Sequence, residues 1–388
     1  MDAPGTSVTP AEAAGRRPAL PSLTGMRFLA AAAVFFSHSF FQFVPSSWGS
    51  DTGTGFFWSK AGSAGVSFFF VLSGFVLTWS ARADEPARAF WRRRACKIYP
   101  NHLVTAAAAV LLIVSHGGTV SARQLLPNLA LLHTWLPVGS VLTGVNTVSW
   151  SLCCEAFFYL SFPLLSRALR AVPERRLWWC AGGLVALVWC VPLVARLLLP
   201  GDPVLSPRMP YSEVQLWFVY FFPVTRCLEF LLGMVLARLV ADGRFPRVPL
   251  VPAGALVAGA YVAALYAPGQ YGTVAVCVAP LGLLIASGAV ADAGGRPSVL
   301  RRPAMVWLGE VSFALYMVHQ LLIDEVARRL GINAAHSLNS WSAAALSLPV
   351  LGGALTLAWL LYRGVELPVM RKWSRRHRPL LLEVGELS

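Results

Sequence analysis

Charged residues are scarce in this sequence, and acidic residues are the scarcest of them. Asp, Glu, Lys and Arg together make up 13% of the chain, with 18 acidic against 32 basic residues, whereas 56% of all residues are hydrophobic. An average soluble domain carries about 25% charged residues. The shortage argues against an ordinary soluble protein, and the mean hydropathy of +0.60 agrees. Because hydrophobic runs recur along all 388 residues, the sequence indicates an integral membrane protein with many spans.

Three further features are missing from the sequence. We expect no cleavable signal peptide, because the first apolar run starts only after about twenty residues and is too long for one. Six of the seven cysteines lie inside apolar runs, and no CxxC spacing or His/Cys cluster occurs, so we expect neither a disulfide framework nor a metal site. The net charge of +14 does not indicate nucleic-acid binding, because the basic residues lie in short segments between apolar runs.

The apolar runs predict an all-α integral membrane protein, a bundle of about ten transmembrane helices. The predicted spans are residues 26–44, 61–80, 101–116, 148–168, 177–199, 216–240, 248–267, 271–290, 304–327 and 342–363. The apolar segment 124–137 is too short to span and predicts an interfacial or re-entrant helix. The domain prediction is a disordered cytoplasmic tail at 1–22, a membrane domain at 23–368 and a basic cytoplasmic tail at 369–388.

Basic residues are distributed unevenly between the two sets of connecting segments. If the N-terminus is cytoplasmic, most of the 32 lysines and arginines fall in cytoplasmic segments, as the positive-inside rule requires. Arg328 and Arg329 are a mild exception, because this adjacent pair falls in a non-cytoplasmic segment. We therefore expect both termini in the cytoplasm and a multi-pass protein of the plasma membrane.

A few polar residues lie inside predicted spans, where each costs several kcal/mol unless it is paired or solvated. Arg27 and His38 are eleven residues apart on the first span, so they share one helix face about 16 Å apart along the axis. Glu155 and His319 lie on later spans. Arg226 and Glu229 are three residues apart, and we expect them to pair with each other.

Each of these residues has a structural and a functional interpretation. His38 is either a structural hydrogen bonder or a general base, since imidazole titrates near neutrality. His319 is either a second proton handler or a structural group. Arg27 is either an anchor at the membrane edge or a guanidinium that orients His38 or binds a phosphate. Glu155 has no basic neighbour one turn away, so its partner must come from another helix, in a structural ion pair or a catalytic role.

A basic motif precedes Ile98-Tyr99-Pro100. Its cationic residues are Arg92, Arg93, Arg94 and Lys97. Such a cluster on a membrane-edge helix suits phosphate binding, and the alternative is an anchor that contacts anionic lipids. Just before it, residues 62–77 combine Gly and Ser with aromatic residues, which permits close helix contact or close approach of a ligand chain.

Taken together, the motifs resemble those of the membrane-bound acyltransferase 3 family. They are Arg27 and His38 in LTGMRFLAAAAVFFSH, the block GVSFFFVLSGFVL, the basic motif before Ile-Tyr-Pro, SWSLCCEAFFYLSFP around Glu155, the Arg-Leu-Glu-Phe-like segment 226–233, LGEVSFALYMVH ending at His319, and Glu-x-Pro at 366–368. They cover about residues 22–368 in the family's order. One departure is Lys97, which stands where the family usually has Arg; lysine keeps the charge but lacks the planar fork for bidentate phosphate contact.

The resemblance implies acyl transfer from cytoplasmic acyl-coenzyme A to a hydroxyl. It implies His38 as the base, Arg27 as electrostatic support, Glu155 and His319 as further members of the site, and the basic motif as the contact for coenzyme A phosphates. No metal and no permanently bound cofactor is implied. Within the family the chain looks most like the actinobacterial macrolide O-acyltransferases, which place a short acyl group on an antibiotic. The alternatives are an O-acetylase of surface polysaccharide or peptidoglycan and, in another class, a multi-span transporter.

Overall fold

Helices form nearly all of the regular structure in the computed structural model, which describes residues 17–45, 53–82, 85–206 and 209–373. The helices are α1 Pro21–Phe43, α2 Gly53–Trp58, α3 Ala61–Ser80, α4 Ala87–Ser115, α5 Ala122–Leu129, α6 Gly139–Leu142, α7 Trp150–Ala171, α8 Leu177–Leu198, α9 Glu213–Leu216, α10 Pro223–Ala241, α11 Leu250–Tyr266, α12 Ala275–Ala293, α13 Pro303–Arg329, α14 Ser340–Leu361 and α15 Leu367–Trp373. Two short antiparallel strands, β1 Val204–Ser206 and β2 Met209–Ser212, lie between α8 and α9. The predicted helical class is thus confirmed.

Eight helices of the described residues are long and apolar enough to cross a membrane. They are Pro21–Phe43, Gly53–Ser80, Ala87–Ser115, Thr147–Ala171, Glu174–Leu198, Tyr271–Ala293, Pro303–Arg329 and Ser340–Trp373. The two remaining predicted spans are also helical. However, α11 has only 17 residues, and α10 carries Arg226, Glu229 and Arg238 within its 19. Length and hydropathy therefore support eight of the ten spans.

Two helices begin earlier than the hydrophobic pattern predicts. Helix α1 starts at Pro21, in the predicted tail 1–22, because proline is favoured in the first turn, where its missing N–H costs no hydrogen bond. Helix α4 starts at Ala87 and continues through Pro100 for 29 residues, so the basic motif and the span 101–116 are one helix. At the other end, α15 occupies the start of the predicted tail 369–388. Residues 1–16 and 374–388 lie outside the described residues.

The segment 124–137 is only partly helical. Helix α5 has eight residues and begins with a capping box, in which Ser121 Oγ accepts from the Gln124 N–H and the Gln124 side chain returns to Ser121. After α5 the chain turns through Leu131 at φ 56° and continues without regular structure. Leu131, His133 and Thr134 are all buried, so this segment folds into the bundle.

The helices at the centre pack backbone to backbone through glycine. A Cβ added to Gly74 of α3 would lie 1.9 Å from the carbonyl oxygen of Phe230 on α10. A Cβ on Gly233 of α10 would lie 1.9 Å from the carbonyl oxygen of Val71. These contacts confirm the expectation that small residues in 62–77 permit close helix approach, and they fix α3 against α10 behind the site described next.

Long apolar side chains cover much of the outer surface of the bundle. Examples are Leu111, Leu164, Trp179 and Val251, whose side chains are 70% or more exposed. Exposed apolar surface of this extent is unfavourable in water and favourable in a bilayer. The surface therefore agrees with helices that lie in lipid.

Candidate functional site

A partly open cavity of about 160 Å³ lies between α1, α3, α4, α7 and α13. We call it the central cavity. Its lining residues are Arg27, Val66, Phe69, Phe70, Leu72, Ser73, Val76, Leu77, Arg94, Lys97, Ile98, Ser151, Leu152, Glu155, Tyr159, Ser312, Phe313 and Tyr316. Four of the residues predicted from sequence, on three different helices, thus meet in one space. Its apolar and aromatic walls come mainly from α3, and the charged groups come from the other helices.

Glu155 is held by its own helix. Its Oε2 accepts a hydrogen bond of 2.6 Å from the hydroxyl of Tyr159, one turn further along α7. We predicted a partner on another helix, so this hydrogen bond differs from the expectation. Cations from other helices are nevertheless close by, since Arg27 and Lys97 line the same cavity.

Lys97 is paired with a residue near the end of the described chain. Its Nζ forms an ion pair with Glu366, whose side chain is fully buried. Asn101, one turn along α4, donates from Nδ2 to the second oxygen of Glu366 at 2.6 Å. Glu366 lies in a π-helical turn, Tyr362–Glu366, that follows α14. This clamp fixes the side chain of Lys97 at the cavity wall, and a single π turn of this kind is frequent at functional sites.

The other residues of the basic motif are divided between surfaces. Arg94 lines the central cavity, and its guanidinium lies over the rings of Phe90 and Tyr159 at 5.6 and 5.9 Å from the ring centroids. Arg93 forms an ion pair with Glu85. Arg94 and Arg93 both line a second cavity of about 140 Å³. Arg92 is exposed and lines neither cavity.

The two predicted histidines are in direct contact. His38 Nδ1 lies 3.0 Å from His319 Nε2, and the two rings stack with centroids 5.1 Å apart. His319 Nδ1 lies 2.8 Å from the carbonyl oxygen of Tyr316. Because a carbonyl can only accept, the neutral His319 ring carries its proton on Nδ1, which makes Nε2 an acceptor. His38 therefore donates from Nδ1, and its Nε2 is the nitrogen with the lone pair.

The histidine pair lies one helical turn beyond the central cavity. A Cβ built on Gly62 would lie 3.8 Å from His38 Nε2, so the lone-pair nitrogen faces the start of α3. Val66, one turn after Gly62, lines the cavity, and so does Tyr316, one turn before His319. One turn corresponds to about 5.4 Å. Arg27 lines the cavity, whereas neither histidine does; the lone-pair nitrogen of His38 lies beyond Val66 and Tyr316.

Tyr316 separates the cavity from the histidines. Its hydroxyl accepts a hydrogen bond of 2.7 Å from Ser151 and donates to the carbonyl of Val148 at 3.2 Å. The ring contacts that of His319, with centroids 5.7 Å apart. Gln320 on the next position of the same helix is a further hydrogen-bonding neighbour of His38. The environment of the pair is therefore built largely from α13.

Arg226 and Glu229 form the predicted pair behind the cavity wall. Arg226 Nη2 lies 3.0 Å from Glu229 Oε2, and both side chains are fully buried. The Arg226 guanidinium also lies 5.0 Å from the centroid of Phe70, which lines the cavity, and Nη2 donates to Ser67 at 3.3 Å. Neither charged residue lines the cavity, and the hydrogen bond from Arg226 to Ser67 joins α10 to α3.

The structure also contains groups that the sequence did not single out for this site. Tyr159 holds Glu155 and Glu366 holds Lys97, whereas Asn101 acts one step further out by holding Glu366. The Glu-x-Pro motif was a signal for Glu366, but no pattern connects it with Lys97 across the chain. Among the described residues, no group of three His, Cys, Asp or Glu side chains is placed to hold a metal ion.

Comparison with known proteins identifies the chemistry. The acyltransferase domain of the acyltransferase 3 family matches residues 20–363. The chain is 43% identical to acyltransferase MdmB of Streptomyces mycarofaciens, over 93% of this chain and 94% of that protein. It is 27% identical to the exopolysaccharide production protein ExoZ of Rhizobium meliloti, over 81% of this chain and 92% of that protein.

A more distant likeness reaches a cell-wall enzyme. The chain is 24% identical to the peptidoglycan O-acetyltransferase OatA of Listeria monocytogenes, over 91% of this chain but 56% of that protein. No solved structure matches the chain. The likenesses favour acyl transfer over the transporter interpretation.

Proposed function

The chain belongs to the acyltransferase 3 family, and from that premise we propose that it transfers a short acyl group from acyl-coenzyme A to a hydroxyl of a glycosylated macrolide or a similar secondary metabolite. The acyl groups in question are acetyl, propionyl and isovaleryl. The observation that carries the proposal is the histidine pair one turn beyond a cavity with cations on its wall. A thioester with an anionic end and an apolar acyl group is complementary to that combination.

The hydrogen-bonded histidine pair supports general base catalysis. His38 Nε2 takes the proton of the acceptor hydroxyl while the hydroxyl oxygen attacks the thioester carbonyl. The C–O bond forms, the C–S bond breaks, and the proton passes from the imidazolium to the departing sulfur, so that coenzyme A leaves as the thiol. His319 accepts from His38 Nδ1, which orients the ring and stabilises its cationic form, as a third group does in other nucleophile–base arrangements.

The charged residues of the central cavity have distinct proposed roles. Arg27, Arg94 and Lys97 supply positive potential along the path of the donor, and Arg27 assists the developing negative charge of the thioester oxygen. Glu155, held by Tyr159, limits the net positive charge of the wall and orients Arg27 or the acceptor. The remaining residues of the motif, Arg92 and Arg93, extend the positive potential to the helix surface.

We further propose ten spans with both termini in the cytoplasm of a plasma-membrane protein. This topology counts α10 and α11 as spans, and the pairing of Arg226 with Glu229 supports it because a paired charge is tolerated inside a bilayer. Arg27 and the basic motif then lie on the cytoplasmic side, where acyl-coenzyme A is available. The histidine pair lies deeper.

The acceptor class rests on similarity. The sequence is less like the two relatives whose names point to polymers, at 27% and 24% identity, than like the Streptomyces acyltransferase at 43%. The second candidate acceptor is a surface polysaccharide or peptidoglycan, on which the same chemistry would act. The similarity to the two polymer-associated relatives is the observation that favours it.

Product mass decides between the acceptors. Membranes that contain the protein are incubated with acetyl- or isovaleryl-coenzyme A and either a glycosylated macrolide or cell-wall polymer. We expect a mass increase of one acyl group on the macrolide, and none with the His38→Ala variant. Acylation of the polymer alone would replace the proposed acceptor, and transfer by His38→Ala at the wild-type rate would remove the base from the mechanism.

A further inference from the structure

The second cavity is dominated by arginine, and we call it the arginine cavity. It opens where α3 ends, α4 begins and α7 ends, and has a volume of about 140 Å³. Its charged lining residues are Arg82, Glu85, Arg93, Arg94, Arg167 and Arg170. Arg167 and Arg170 belong to the last turns of α7 and are therefore not part of the basic motif of α4. Five arginines thus face one glutamate among the described lining residues.

Among the described residues, the positive charge of this cavity is only partly compensated. Glu85 pairs with Arg93. Arg170 Nη1 donates to the neutral hydroxyl of Ser166 at 2.9 Å. Within the described part of the chain, neither Arg167 nor Arg170 forms an ion pair, and the buried Nε of Arg94 has no hydrogen-bond partner. Unused guanidinium donors in a concave site are the groups that bind phosphate oxygens, often two at a time.

The arginine cavity adjoins the central cavity. Leu77 and Arg94 line both of them. A single molecule can therefore place anionic groups among the arginines while its uncharged arm follows the apolar wall towards Tyr316. Within the basic motif, by contrast, Lys97 is already paired with Glu366, and Arg92 lines neither cavity.

We propose that the arginine cavity is the binding site for the phosphate groups at the nucleotide end of the acyl donor, with Arg167 and Arg170 of α7 as binding residues. This rests on the proposed use of acyl-coenzyme A. The sequence assigned those phosphates to α4 alone. The geometry instead divides the donor between two cavities, with phosphates held from α4 and α7 together and the thioester arm in the central cavity.

The double variant Arg167→Ala/Arg170→Ala tests the site. Its matched control is Arg175→Ala/Arg176→Ala, which removes the same charge from exposed residues just after α7 that line neither cavity. Loss of two charge-assisted contacts should raise KM for acetyl-coenzyme A about 10- to 100-fold. KM for acetyl-pantetheine, which has the arm and the thioester but no phosphate, should not change. The control should keep wild-type KM for both donors.

Binding of free coenzyme A to the purified protein is measured by calorimetry without acceptor. This measurement tests the phosphate site independently of which acceptor the protein acylates. We expect weaker binding in the double variant, and less discrimination between coenzyme A and its 3′-dephospho form. An unchanged KM and Kd for coenzyme A would overturn the proposal and leave acyl transfer intact. Failure of the wild-type protein to bind or use coenzyme A would instead overturn the proposed donor.

A phospholipid headgroup has the same phosphate chemistry, so the experiment tests lipid binding in a separate arm. Activity is measured in vesicles of phosphatidylcholine with or without phosphatidylglycerol. If the double variant loses a dependence on phosphatidylglycerol while its KM for acetyl-coenzyme A stays unchanged, the site binds lipid and the proposal is wrong. Should the alanine variant not fold, Arg167→Lys/Arg170→Lys keeps the charge without the fork, and an increase in KM of about 3- to 10-fold is then expected.

Discussion

Replacing His319 by alanine should slow acyl transfer without abolishing it. In the structure His319 Nε2 accepts from His38 Nδ1, and His319 Nδ1 is fixed by the carbonyl of Tyr316. The substitution removes the acceptor and leaves the Nδ1–H of His38 without this partner, while the nitrogen that takes the proton is unchanged. His319 acts through His38 in this arrangement, so it is a positioning residue.

The magnitude follows from the lost hydrogen bond. A polar group left unpaired in a buried site costs about 1–3 kcal/mol. At about 1.36 kcal/mol for each factor of ten, kcat should fall about 5- to 160-fold if the whole cost appears in the transition state. Loss of the base itself in His38→Ala should cost about 10²–10⁴. The double variant should be no slower than His38→Ala, because His319 has nothing left to orient.

The assay measures transfer of a labelled acyl group in membranes, with the amount of folded protein determined by size-exclusion chromatography. His336→Ala is the matched control, since that histidine is exposed and lies outside the cavity. If the double variant shows the product of both losses, the two histidines act independently. That result would refute the orienting role.

Three further predictions concern the surroundings of the site. Arg226→Leu should lower the stability of the protein by about 3–5 kcal/mol, because it leaves Glu229 buried and unpaired. The double variant Arg226→Leu/Glu229→Leu should recover most of that stability. A single variant that loses activity but keeps wild-type thermal stability would show a catalytic role instead. Gly74→Ala should force the α3–α10 contact apart at a cost of about 1–3 kcal/mol. The control is Gly352→Ala, which has no atom within 4 Å of the new Cβ and should leave the melting temperature unchanged. Equal melting temperatures for the two variants would contradict this. Val66→Phe should narrow the end of the central cavity and reduce isovaleryl transfer at least about tenfold more than acetyl transfer; an unchanged ratio of the two rates would place the acyl group elsewhere.

Local sequence patterns predict single residues well, and contacts between helices poorly. The spacing of Arg27 and His38 predicts a shared face, and hydrophobicity predicts most helices. The contact of His38 with His319 joins residues 281 positions apart, and that of Lys97 with Glu366 joins residues 269 apart. Such contacts depend on how the helices pack, which no local pattern specifies.

Charge and proline explain other differences from the predicted helices. Helix α10 carries a buried ion pair, so its hydropathy understates how deeply it is buried. The basic motif reads as a connecting segment because it is polar, yet it is continuous with the following helix through Pro100. From the sequence alone, the arginines of α7 indicate only topology, because their part in a cavity wall depends on the neighbouring ends of α3 and α4.

The Lys97–Glu366 clamp also sets an order of events during synthesis. A lysine that enters the bundle on α4 has its buried carboxylate partner 269 residues later. At about 5–20 residues per second, a ribosome needs on the order of tens of seconds to supply it. The interval is slightly longer for His38, because 281 residues separate it from His319. The nascent chain therefore passes through a stage in which Lys97 has not yet met its carboxylate partner and the histidine pair is incomplete.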